Sequence, residues 1–168
     1  MEFRLAVMDD LEQMKDMYTQ IVKNMNDNHI EIWDDIYPCE LLENDIRNHQ
    51  MYILSDKGQI ISAFVLCDTH AGDKEAAWNG RSDKSIYLDR LGVNVKYHHK
   101  GIGTLMIGKA KETAKSFGME YLRLFVVDIN KPAIQLYVKN GFRKVEGVYE
   151  EVFEDGFVLR EYGYEIKV

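Results

Sequence analysis

His98-His99-Lys100-Gly101-Ile102-Gly103-Thr104 is the stretch on which the reading of this chain turns. It follows an apolar, strand-like run, Ile86-Tyr87-Leu88-Asp89-Arg90-Leu91-Gly92-Val93, and precedes an amphipathic helical pattern. Glycine carries no Cβ, so Gly101 and Gly103 let the backbone approach an anion closely. The helix that follows brings unpaired N–H groups and the positive end of its dipole to the same place. His98, His99 and Lys100 add local positive charge to a chain whose formal net charge is −7. This is the pattern of a pyrophosphate-holding loop. Two other anion loops fail on spacing. No Gly-x-x-x-x-Gly-Lys-Ser/Thr occurs, and a Gly-x-Gly-x-x-Gly count from Gly101 ends on Met106.

A second cluster lies downstream: Asn130-Lys131-Pro132-Ala133-Ile134-Gln135-Leu136-Tyr137, closed by Asn140-Gly141-Phe142. Together the two resemble the GCN5-related N-acetyltransferase (GNAT) superfamily. Its second motif, Asn-x-x-Ala-x-x-Leu-Tyr-x-x-x-Gly-Phe, is matched at every named position from Asn130 to Phe142. Its acetyl-CoA loop, Arg/Gln-x-x-Gly-x-Gly/Ala, is matched at Gly101 and Gly103. His98 stands where Arg or Gln is usual, and Val95 where Pro is common. The opening, Arg4-Leu5-Ala6 and then Asp9-Asp10-Leu11, is also similar to the family's.

The resemblance implies acetyl-CoA as co-substrate and an amine as acceptor, attacked directly in a ternary complex. Cofactor contacts then fall on Leu91, Gly92 and Val93 through main chain, on the loop His98, His99, Lys100, Gly101, Ile102, Gly103 and Thr104, and on Asn130 and Tyr137. Gly92 inside a strand marks an expected bulge, with an N–H left for the thioester carbonyl. An amine of pKa near 10.4 is only about four parts in ten thousand neutral at pH 7, so a base is useful. Tyr137, protonated at neutral pH, is the candidate donor to the departing thiolate. The two positions where family members keep a glutamate are Tyr87 and Phe125 here. Asp89, two residues past Tyr87 and on the same strand face by alternation, is the candidate base, direct or through water. Asn130 also suits the start of the helix at Pro132. A CoA-binding sensor or interaction protein of the same fold, without turnover, is the alternative.

Length and composition fit this reading. A chain of 168 residues, 46% hydrophobic and 29% charged, reads as one soluble globular domain, residues 1–168. No apolar run approaches the roughly 18 residues of a membrane span, and Met1-Glu2-Phe3-Arg4 lacks a secretion-signal layout, so a cytoplasmic protein is expected. The negative charge argues against a nucleic-acid partner and suits a cationic one. Neither a membrane nor a metal partner is expected. A homodimer stays open, as does the acceptor: small amines, amino acids, polyamines, aminoglycosides or protein amines. Cys39 and Cys67 read as reduced, packed thiols. Trp33, Asp34, Asp35 and Tyr37 form an aromatic-plus-acid group, suited to an amine or to packing and helix-terminal charge.

Hydrophobic periodicity supplies the rest. A strand is expected over 2–6, helices over 9–26 and 40–48, and a strand pair over 51–55 and 59–67. A polar loop follows over 68–84, either bordering the acceptor or merely exposed. Strand 85–94, helix 102–117, strand 121–127 and helix 132–140 come next. A hairpin of strands 142–153 and 157–168 closes the chain. The order β-α-α-β-β-β-α-β-α-β-β implies an α/β (α+β) fold with a central, mixed, mostly antiparallel sheet flanked by helices.

Overall fold

A computed structural model describes residues 1–168. Eight strands and four helices follow one another along it: β1 (Glu2–Leu5), α1 (Leu11–Asp27), α2 (Leu42–Arg47), β2 (Met51–Asp56), β3 (Gln59–Cys67), β4 (Ser85–Val93), α3 (Ile102–Ser116), β5 (Tyr121–Val127), α4 (Lys131–Lys139), β6 (Arg143–Lys144), β7 (Tyr149–Val152) and β8 (Val158–Lys167). The strands form one sheet in the order β1-β2-β3-β4-β5-β8-β6, with β7 also on β8. β4 and β5 run parallel, whereas β1–β2, β2–β3, β5–β8, β6–β8 and β7–β8 are antiparallel. The mixed, mostly antiparallel α/β fold is the one the sequence order implies. No helix is long and apolar enough to cross a membrane.

The chain forms two compact units, Met1–Leu66 with Arg90–Met106, and Cys67–Asp89 with Ile107–Val168. In the first, α1 buries Leu11, Met14, Met17, Tyr18, Ile21 and Val22, the face set by helical spacing. Asp10 precedes α1 without capping it in the expected way. Its carboxylate accepts from the Val7 N–H at 2.8 Å and from both Arg4 terminal nitrogens at 2.7 and 2.9 Å. The Arg4 bonds hold the Asp10 carboxyl below its ordinary pKa. A Cβ at Gly92 would lie 2.9 Å from both Ile21 Cδ1 and Tyr18 Cε1, so glycine lets α1 close on β4.

β4 departs from expectation beside that contact. The left-handed residue in the strand is Arg90, at φ 50°, and not Gly92. Three bonds fix it: Arg90 Nε and Nη2 donate to the buried Asp45 carboxylate at 3.0 and 2.9 Å, and the Tyr18 hydroxyl donates to the Arg90 carbonyl at 2.6 Å. The backbone irregularity shown here is thus at Arg90, two residues before Gly92, and is held by side-chain bonds.

In the second unit, β5 places Leu122, Leu124 and Val126 on one face and Arg123, Phe125 and Val127 on the other. Arg123 is fully buried, donating to Glu165 on β8 at 2.9 Å and to the Gly80 carbonyl at 2.7 Å. Glu165 in turn accepts from the Asn79 and Gly80 N–H groups, each at 3.1 Å. The polar 68–84 segment is thereby pinned to the sheet. The strand expected over 142–153 is interrupted between β6 and β7. There Gly147, at φ 110°, bridges Ala76, and a Cβ on it would run into the Glu75 carbonyl oxygen.

Candidate active site

The glycine loop folds as a scaffold for its own backbone. Asn94 starts it, its side chain accepting from the Lys96 N–H at 3.0 Å, and His98 Nε2 lies 3.0 Å from the Val93 carbonyl oxygen. Lys100 Nζ donates to the Lys96 carbonyl at 3.0 Å and stands 4.8 Å from the Tyr97 ring centroid. Two left-handed residues, His99 at φ 60° and Gly101 at φ 77°, turn the chain into α3. Gly101 supplies that conformation without a Cβ, and nothing lies within 4 Å of where one would be. No acidic residue occupies the first turn of α3, so its leading N–H groups keep their positive character. The positive character here is thus that of the main chain at the start of α3. His98 and Lys100 hold the loop's shape.

Leu91 and Val93 are half-buried beside the buried Gly92, whose carbonyl accepts from the Ser62 hydroxyl at 2.6 Å. Trp33 and Tyr37 form a packing group, their ring centroids 6.3 Å apart and Trp33 5.8 Å from Tyr18. Asp34 closes a local turn there, accepting from the Ile36 and Tyr37 N–H groups. Cys39 and Cys67 form no disulfide, and burial pushes Cys39 above its ordinary pKa, away from nucleophilic character.

In the second unit, the Asn130–Phe142 motif is a capped helix. Asn130 accepts from the Ala133 N–H at 3.3 Å, and Pro132 sits in the first turn of α4. At the other end Gly141, at φ 94°, lets Phe142 N–H reach the Tyr137 carbonyl and Gly141 N–H the Val138 carbonyl. That turn brings the Phe142 ring to 5.7 Å from the Tyr137 ring, at 65°. Tyr137 is buried. Burial and the negative charge of Asp89 both push its pKa up, so its hydroxyl stays protonated at neutral pH.

Tyr87 and Phe125 are joined in an aromatic layer. Their rings stack at 6.4 Å, with Tyr149 6.1 Å from Phe125. Two residues of the 68–84 segment complete it: His70 stacks on Phe125 at 4.3 Å, and Trp78 meets it edge-on at 5.4 Å. The Tyr87 hydroxyl donates to Asp73, so burial first and then this bond raise its pKa. Neither ring can serve as a base at neutral pH.

One ionisable group was missed in the sequence. Glu161 of β8 sits opposite Val127 of β5 and Tyr149 of β7. Desolvation, then the charges of Glu151 and Asp89, push its carboxyl up to about 7. Asp89 is thus the common electrostatic neighbour of Tyr137 and Glu161. The signal that could have found Glu161 is period-two alternation through Leu159, Glu161, Gly163 and Glu165, which puts two glutamates on one face of a core strand.

Residues 12–142 match the model of the acetyltransferase (GNAT) family. Over 143 residues the chain is 27% identical to a provisionally named phosphinothricin acetyltransferase, YwnH, of Bacillus subtilis (strain 168), covering 84% of this chain and 83% of that one. It is 38% identical over 89 residues to the thialysine N-epsilon-acetyltransferase of Sus scrofa, a match spanning 51% of this chain and 50% of the relative. Among solved structures, a provisionally named acetyltransferase, yncA, of Salmonella typhimurium, determined with its cofactor acetyl-CoA, superposes with a TM-score of 0.68 at 15% identity, over 99% of this chain and 92% of that one. The chain belongs to the acetyltransferase (GNAT) family as an acyltransferase of the N-acetyltransferase type.

Proposed function

We propose that this enzyme transfers the acetyl group of acetyl-CoA to an amine by direct attack in a ternary complex. The observation that carries the reading is Tyr137, a buried hydroxyl kept protonated by desolvation and by Asp89. A departing thiolate accepts a hydrogen bond from such a group, and Tyr137 relays a proton to it as it takes one from the acylated nitrogen. Main-chain N–H groups of Gly101, Ile102, Gly103 and Thr104 hold the pyrophosphate, in a loop shaped by His98, His99 and Lys100. Backbone groups of Leu91, Gly92 and Val93 meet the pantetheine and thioester, and Asn130 meets the cofactor arm while capping α4. Asp89 lies on the route by which the amine's proton leaves.

The reading treats residues 1–168 as one N-acetyltransferase domain, cytoplasmic, acting without metal, nucleic acid or membrane. Tyr137 favours turnover over a silent CoA-binding role. The test follows thiol release from acetyl-CoA across amines, headed by phosphinothricin and thialysine, the compounds in the relatives' names, and extended to amino acids, polyamines, aminoglycosides and peptide amines. Amine-dependent release with a matching acetylated product supports the reading. Release with none of them, from protein that binds CoA, overturns it.

A further inference from the structure

We infer that Glu161 is the catalytic base of this transfer, the carboxylate that takes the proton from the acceptor's ammonium group. The inference rests on the acetyltransfer reading above. Residues paired across a ladder point to the same face of the sheet, so Glu161 shares a face with Val127 and Tyr149, its partners on β5 and β7. Alternation along β5 puts Phe125 on that face too, and with it the layer of His70, Tyr87, Trp78 and Tyr149. An ammonium is drawn to such a surface by ring faces and carboxylates together.

The titratable groups around Glu161 are acids. Glu151 and Tyr149 face it from β7 and Asp89 from β4, while β5 offers the uncharged Val127. With carboxylates as its charged neighbours and partial desolvation, Glu161 has the proton affinity that a base working near neutrality needs. Asp89 adds to that affinity and also keeps the Tyr137 proton in place, linking the two ends of the proton path. The usual glutamate positions have become the stacked pair Tyr87 and Phe125, and Glu161 supplies the carboxylate from β8.

The step balances. The ammonium loses one proton to Glu161, and the freed lone pair attacks the thioester carbonyl carbon. The C–S bond breaks with its electron pair on sulfur; Tyr137 gives its proton to sulfur and regains one from the acylated nitrogen. Glu161 then releases its proton to solvent. Ammonium and acetyl-CoA have become amide, CoA thiol and one proton.

A base must be deprotonated to act, so kcat/KM of the wild type should rise with pH through an acid limb near 7. Glu161→Gln keeps the size and cannot accept the proton. It should remove that limb and lower kcat/KM at pH 8 by about 10²- to 10⁴-fold. Asp89→Asn, which removes one charge that raises Glu161, should keep the limb and move it to lower pH. Carboxyl-13C NMR of glutamate-labelled wild type, independent of any variant's folding, should show one glutamate titrating near 7. Turnover by wild type with an unchanged limb in a folded Glu161→Gln variant, or no glutamate titrating above 6, overturns the assignment alone. Wild type that binds CoA but releases no thiol with any amine overturns the acetyltransfer reading and this assignment with it.

Discussion

Tyr137 and Phe142 meet through their rings, so Tyr137→Phe removes a hydroxyl and leaves that packing in place. If the hydroxyl protonates the thiolate, kcat should fall roughly 10- to 1000-fold while CoA affinity measured by calorimetry stays near wild type. Turnover at the wild-type rate would make Tyr137 a core residue and no more. This residue was legible in the sequence because its motif is local: a cap, a helix and a glycine turn all within Asn130 to Phe142. Glu161 was not legible because its environment is long-range. Nothing near it in sequence reveals that β5 and β7 flank it or that Asp89 of β4 lies close. Arg90 escaped for the same reason, since its left-handed backbone is fixed by Asp45 and Tyr18, 45 and 72 positions away.

At the scale of elements, strands β3 and β5 fall on the expected residues, and the helices begin or end within a few residues of expectation. Strong periodicity fixes them. The interruption between β6 and β7 was invisible because its cause is the Glu75–Ala76 backbone, which a one-dimensional pattern cannot place beside Gly147. Gly147→Ala should therefore destabilise the protein by about 2 kcal/mol or more, from a forced contact and an unfavourable φ together. Gly58→Ala, also at positive φ but in open space, should cost about 1 kcal/mol. Urea unfolding of the two variants measures the difference, and equal losses would remove the steric argument. The glycine loop makes the opposite prediction. A Cβ at Gly101 meets nothing within 4 Å, so Gly101→Ala should stay folded, at a cost of about 1 kcal/mol for its positive φ, while losing CoA affinity by at least about tenfold. Calorimetry showing unchanged affinity in the folded variant would end the assignment of this loop to the cofactor.

For the whole molecule, each compact unit is assembled from two separated stretches of chain. Neither can be excised by a single cut. A fragment of residues 107–168 keeps β5, β7 and β8 but lacks β4, and its Arg123 and Glu165 lose Asp73, Asn79 and Gly80. That fragment should give a collapsed, poorly dispersed amide NMR spectrum; a native-like spectrum would show that the 67–89 segment is dispensable. The buried Arg123–Glu165 pair also has a consequence for synthesis on the ribosome. The two residues are 42 positions apart. At about 5–20 residues per second, the carboxylate is made about 2 to 8 s after the guanidinium it must neutralise. During that interval Arg123 has Asp73 to pair with at 3.5 Å but lacks the buried carboxylate of Glu165. Translation itself thus withholds closure of this core until β8 has been made, and an elongation pause between the two codons would lengthen that wait.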